Sequence, residues 1–210
     1  MSTQYASNYP NAPAVTNSSI TRTMWGIATV WFAGSAALGA SGSLAEHPLF
    51  IGPLVVVPLI VFAVVFAASP GLRAWAFALD TRALVFCQAV RTGGIAFLAV
   101  YAVGQLNGKF ALWAGLLDCA VGLSAPFAAQ YLTPTRTAMQ RRLLIAWMAP
   151  GVLDFLVAIF LARMARVGDT ASMAALNMLP LSMITTFGVP LALIAYFILG
   201  AHLWQQRGRA

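Results

Sequence analysis

The sequence predicts an all-α integral membrane protein, a bundle of about six transmembrane helices. Three observations lead there. Of its 210 residues, 60% are apolar and only 8% are charged, whereas a soluble domain carries about 25% charged residues. Apolar stretches recur at about the 20-residue length that a helix needs to cross the hydrocarbon. The basic residues gather mostly between those stretches. A helix satisfies its own backbone hydrogen bonds where water is absent, and lipid-facing positions favour apolar side chains.

Residues 1–20 are rich in Ser, Thr, Asn, Ala and Pro, with no charge and no apolar period. That composition predicts a disordered cytoplasmic tail. It lacks the basic start and short apolar run of a signal peptide, so the first apolar run should persist as a helix. Residues 21–210 then form one six-helix domain. The spans are expected at about Met24–Leu44, Leu49–Ala68, Ala83–Leu106, Phe110–Leu132, Leu143–Met164 and Pro180–Trp204. Pro53, Pro58, Pro126, Pro150 and Pro190 fall inside them, where neighbouring helices can satisfy the carbonyls that proline frees. Gly71–Leu79 reads as a short segment along the interface, and Gly168–Met178 as a loop with one helical turn.

Orientation follows from the basic residues. On the N-terminal side lie Arg22, Arg73, Arg82, Arg136, Arg141, Arg142, Arg207 and Arg209; on the other, Lys109, Arg163 and Arg166. Basic residues prefer the cytoplasmic side, so both termini are expected there, in a bacterial cytoplasmic membrane. The same distribution explains the net charge of +7 by contact with anionic headgroups. It offers no soluble basic patch for nucleic acid.

Three charged residues lie within spans: Arg91, Asp118 and Asp154. At about 1.5 Å per residue, Arg91 and Asp118 sit about 12 Å and Asp154 about 16 Å from their span ends. In a core about 30 Å thick, all three fall near the middle. Each charge there costs at least about 2.5–3.5 kcal/mol, so the three should meet, with Arg91 between the two carboxylates. The guanidinium fork can bind both at once. Gln88, three positions before Arg91, shares its helical face and should extend this polar centre. Cys87, four positions before, should border it.

Other chemistry finds no support. Cys87 and Cys119 lie in apolar segments and read as reduced, small apolar residues. With no histidine nearby they fall short of a zinc site, and no metal or cofactor is expected. His47 and His202 belong to opposite membrane faces, so they cannot ligate one haem. The only lysine, Lys109, lies in a loop, which excludes a retinal Schiff base. Gly39-Ala40-Ser41-Gly42 resembles the GxSG of rhomboid proteases, yet Ser41 and His202 should lie about a bilayer apart, and a nucleophile and its base must approach to about 3 Å. Gly34, Ala37 and Ser41 read instead as a close-packing face. Trp25, Trp113, Trp147 and Trp204 fall near span ends, as interfacial anchors do.

The stretch from Phe110 to Pro126, FALWAGLLDCAVGLSAP, resembles a signature of uncharacterised bacterial multi-pass membrane proteins, roughly FALPAGxGDxxVGLxAP. Gln88, Arg91, Phe97-Leu98, Leu153-Asp154 and Phe187-Gly188-Val189-Pro190-Leu191 fit the same pattern, which covers about residues 85–200. The resemblance implies the same three charged positions but no established activity. It also implies a histidine in the last helix, where this chain has Tyr196, so no metal or proton role carries over to that position.

Three functions remain open. The polar centre suits a small transporter-like or channel-like protein, in which Arg91 binds an anionic group or tunes the carboxylates and one Asp exchanges a proton. An accessory or assembly subunit would use the centre only for packing. An intramembrane enzyme acting on lipid or quinone would need a cleft opening sideways beside Asp118 or Asp154. The expected partners are the lipid bilayer and either further copies of the chain or a larger membrane complex.

Overall fold

The structure, a computed structural model, describes residues 18–168 and 171–207. The expected tail lies outside the described residues as far as residue 17; helix α1 already begins at Ser18. The described residues form helices and turns with no strand. In chain order they are α1 (Ser18–Ala40), α2 (Pro48–Ala68), α3 (Pro70–Ala78), α4 (Thr81–Ala102), α5 (Gly108–Tyr131), α6 (Ala138–Val167) and α7 (Leu181–Gln206). Among the described residues five helices, α2 and α4–α7, are long and apolar enough to cross a membrane. This makes the chain an all-α membrane bundle.

Six spans were expected, and the difference falls on α1. It has 23 residues, enough for about 34 Å at 1.5 Å each, but Ser, Thr, Gly and Arg22 dilute its apolar character. It also ends earlier than expected. Gly42 takes φ 76, a left-handed conformation that glycine adopts without steric cost, and turns the chain into the short helix Ser43–Glu46.

Local chemistry sets the other boundaries. The Asn107 side chain accepts from Phe110 N–H at 3.2 Å and caps α5. Asp80 accepts from Arg82 N–H at 2.9 Å and caps α4. Ser69 accepts from Leu72 N–H at 3.2 Å and caps α3. Each satisfies one of the donors that a helix N-terminus leaves open. The segment expected at the interface is α3, tucked against α7, where the His202 ring lies 3.0 Å from Ala76 O. The loop expected after α6 carries a 3₁₀ stretch, Ala171–Asn177.

Helix α5 is the hub, packed along both α4 and α6. At one end Phe97, Phe110, Met173 and Leu176 form a buried cluster; at the other, Val85, Ala129, Leu144 and Leu199 do so. Two helices lose their regular winding between these clusters. Cys87–Gly94 in α4 is wound as a 3₁₀ helix, and Ile184–Gly188 in α7 as a π-helix. Such stretches inside spans commonly accompany functional sites. The π-helix ends two residues before Pro190, whose missing N–H leaves the carbonyl four residues back without its usual partner. That carbonyl, Thr186 O, accepts from Trp31 Nε1 of α1 at 3.2 Å. Trp31 and Phe32 pack edge-on against Phe187, and so fasten α1 to the bend.

Candidate functional site

The 3₁₀ winding arranges one side of the site. Three residues per turn bring residues i and i+3 into line, and the buried residues of this stretch are Gln88, Arg91 and Gly94. Cys87 falls off that face and is exposed, with Sγ 3.0 Å from Leu84 O. Cys87 was expected to border Arg91 on the basis of 3.6 residues per turn; the 3₁₀ winding turns it further from the Arg91 face.

Glycines let the neighbouring backbones close in. Gly115, Asp118 and Gly122 are spaced to share one face of α5. A Cβ added at Gly115 would stand 3.1 Å from Gly94 O, and one at Gly122 would collide with the backbone nitrogen of Thr92. A Cβ at Gly94 would strike the Asp118 side chain, and one at Gly151 the Tyr196 hydroxyl. Small residues that permit such approach are the usual basis of helix packing in lipid, where apolar side chains gain little from each other over lipid tails.

Arg91 stands between Asp118 and Asp154. Its Nε donates to Asp118 Oδ1 at 2.6 Å and its Nη2 to Asp154 Oδ2 at 2.5 Å. Nη1 donates to Gly151 O at 3.0 Å and to the Tyr196 hydroxyl at 3.3 Å. The guanidinium carbon lies 4.2 Å from the centre of the Phe155 ring, a cation–π contact. Arg91, Asp118 and Asp154 are 5%, 6% and 1% exposed, so protein rather than lipid surrounds the charges. The structure thus joins the three spans α4, α5 and α6 through one guanidinium.

Gln88 lies beside this group without bonding to it. Its Nε2 donates to Ala192 O at 3.2 Å. Among the described residues, Gln88 Oε1 and Asp154 Oδ1 are buried with no hydrogen-bond partner. Tyr196, Gly151 and Phe155 complete the site and were not among the expected residues. Tyr196 had a signal, since the resemblance marked its position as polar. Gly151 and Phe155 had none, because a carbonyl and a ring face leave no trace in composition.

Two cavities, each of ≈ 270 Å³, reach the centre. The first runs between α2 and α6, with apolar walls that include Val55, Val56, Ala158 and Ile159. Asp118 and Asp154 line it at depth, and Arg163 and Arg166 lie toward its end. Arg166 is held there by donating to Pro48 O at 3.4 Å and to Asn177 Oδ1 at 3.1 Å. Val56 and Ile159 are 46% and 44% exposed, and α2 packs on α3 and α7 rather than on α6. The cavity therefore opens sideways between α2 and α6. The second lies against Phe32, Val90, Arg91 and the π-helix. Asp118, Phe155 and Val189 line both and form the partition between them.

The other candidates stay apart. Ser41 Oγ donates to Leu38 O at 3.1 Å near the end of α1, while His202 meets Ala76 near the end of α7. Both cysteines are free thiols. No cluster of His, Cys, Asp or Glu suited to a metal ion occurs among the described residues.

A family described as a domain of unknown function (DUF8737) matches residues 48–203. The chain belongs to that family. The match takes in the five qualifying spans almost entirely, with Arg91, Asp118, Asp154 and Tyr196, and begins after α1. It agrees with the expectation of a family without an assigned function. The chain matches no curated protein and no solved structure.

Proposed function

We propose that the chain is a small transporter-like membrane protein, in which Asp118 exchanges a proton or a cationic group with the cavity between α2 and α6. One observation carries this reading: two carboxylates share one guanidinium at the inner end of an apolar cavity. Ionised, the group keeps one uncompensated negative charge, and a buried charge is costly unless paired. A proton restores neutrality, and so does a cationic group entering from the cavity. Asp118 suits the exchange better than Asp154, because it lines both cavities, whereas Asp154 is the more deeply enclosed. Arg91 holds both carboxylates in place through either state.

Purified protein in vesicles containing a pH-sensitive dye tests this. With a potassium gradient and valinomycin setting the potential, wild-type vesicles should acidify or alkalinise faster than empty ones. Asp118→Asn should reduce the rate to that of empty vesicles, and Arg91→Lys should keep part of it. A wild-type rate in Asp118→Asn would reject the mechanism.

The membrane setting proposed is a bacterial cytoplasmic membrane with both termini on the cytoplasmic side. That orientation requires α1 to cross as a sixth span. In support, Gly39 of α1 approaches Ser182 and Leu179 at the start of α7, and Ile20 approaches Gly71, which lies beside the far end of α7. Helix α1 so runs the height of the bundle. Reporter fusions after residue 40 and after residue 207 should give opposite-side and cytoplasmic signals respectively.

A second reading is an intramembrane enzyme acting on lipid or quinone. The sideways opening of the cavity favours it, since such a substrate arrives through the bilayer. Turnover of added lipid or quinol by purified protein, without any proton flux, would select it over transport.

A further inference from the structure

We infer that the cavity between α2 and α6 binds a lipophilic amine, an apolar body with one amino group, which enters neutral from the bilayer, takes the proton of the acidic centre and is held there as a monocation. The inference rests on the transport reading and supplies its substrate class.

Three properties of the site select this chemistry. The inner end carries two carboxylates against one guanidinium, so beside a neutral head the centre must keep its own proton, and an anionic head would add to the negative charge. A monocation balances it. With both carboxylates ionised, Asp154 Oδ1 is a buried acceptor without a donor among the described residues, and Asp154 lines this cavity. An ammonium head brings several N–H groups; a quaternary or phosphonium cation brings none. Apart from Thr185, whose hydroxyl donates to Leu181 O and Ser182 O, the walls between Val55 and Ala162 are apolar, which suits an alkyl or aryl body of the ligand.

The route of entry follows from charge as well. Arg163 and Arg166 lie toward the end of the cavity nearest the membrane surface and oppose a cation arriving from water. The edge between Val56 and Ile159 presents only apolar side chains. An ammonium ion at the membrane surface can give its proton to water, enter the bilayer as the neutral amine, cross that edge and meet a protonated carboxyl inside. The proton then passes from carboxyl to amine and leaves an ammonium–carboxylate pair. Binding of the neutral amine from lipid thus needs no external proton, and binding of the ammonium ion from water releases one.

The test uses three probes of equal length: n-octylammonium, n-octanol and octanoate. Wild-type protein in lipid nanodiscs is titrated by calorimetry at pH 7 in two buffers of different ionisation enthalpy, which reports proton release. The amine is expected to bind at least tenfold more tightly than octanol or octanoate and to release up to one proton per molecule bound. Ala158→Phe, which fills the cavity, should weaken the amine at least tenfold. If that variant melts lower than wild type, Ile159→Trp at the lateral edge replaces it. Equal binding of octanol, stronger binding of octanoate, or unchanged amine binding in a folded cavity-filled variant would overturn the inference. Proton flux in vesicles without any amine binding would overturn the ligand class and leave transport standing. Amine binding without flux would do the reverse.

Discussion

Helices α2 and α5 are both apolar spans, yet they are built for opposite surroundings. In α2 only 11% of the span is buried inside the protein, against 44% in α5. Helix α2 has Val, Ile, Leu and Phe on every side, and its large side chains meet lipid: Val57, Ile60, Val61 and Val64 are all more than half exposed. Helix α5 is less apolar and richer in Gly, Ala and Ser, and it carries Asp118. The comparison shows that the most hydrophobic of these five spans is the least buried in the bundle. In hydrocarbon an apolar side chain gains little by leaving lipid for protein. Contact goes to small residues that let backbones approach and to polar residues that cannot remain in lipid.

The sharpest way to break this contrast is to remove the charge that gathers α4, α5 and α6. Arg91→Ala leaves two carboxylates facing each other with no cation. Loss of one partner from a buried ion pair costs about 3–5 kcal/mol, and thermal melting in detergent should show a collapse of stability. Arg91→Lys should fall between, because an ammonium keeps the charge but cannot extend Nε and Nη2 to two carboxylates in one plane. If Arg91→Ala melts like wild type, the three side chains do not hold these spans together.

The next largest effect concerns close approach. Gly122→Val places a branched side chain where Thr92 N now stands. Overpacking of this kind costs about 1–3 kcal/mol, and the backbone on the other side cannot swing away. The variant should melt lower and also separate Arg91 from Asp118, so vesicle proton flux should fall with stability. A matching change on α2, Val57→Leu, should do neither.

A smaller effect is expected at the bend in α7. Trp31→Phe keeps the ring contact with Phe187 and removes the Nε1 donor to Thr186 O. Hydrogen bonds between membrane helices average about 0.6 kcal/mol, so the loss of stability should be modest. Because a single donor is lost, the melting temperature should fall less than in Gly122→Val, and a fall as large as in that variant would show that Trp31 holds more of the bend than this one bond.

The same contrast explains what could be read without a structure. The spans were legible because a run of apolar residues at membrane length has few other meanings. The meeting of Arg91, Asp118 and Asp154 was approachable because their depths and charges restrict them to one solution. The local winding was not legible. Nothing in CQAVRTGG distinguishes 3₁₀ from α, and so nothing in it foretold that Gln88, Arg91 and Gly94 would share the buried face. The partners from the other helices, Gly151 O, the Phe155 ring and the Tyr196 hydroxyl, depend on the relative rotation of the spans, which α5 sets through glycine contacts with several compatible registers. The status of α1 was the least legible for a related reason. Its Gly, Ser and Thr make it less apolar than the other spans, and the same residues allow Gly39 to sit close against Leu179 and Ser182.

The weakest effects should lie on α2, and for that reason they are informative. Val64 is 60% exposed, and Val64→Ala removes only surface that faces lipid in a monomer. Away from special contacts, such a change stays within about 0.5 kcal/mol. The whole row Val57, Ile60, Val61 and Val64 lies on one side of α2 by helical spacing, so alanine at all four should still melt close to wild type if lipid is the neighbour. If the row instead packs on a second copy of the chain, the four changes act on one interface and their costs accumulate. Light scattering of the detergent complex would then show a smaller particle along with the lower melting temperature. A fall in melting temperature without a change in particle size would mean that α2 is held more tightly by its own bundle than an 11% buried span implies, and the contrast drawn between α2 and α5 would fail at its simpler end.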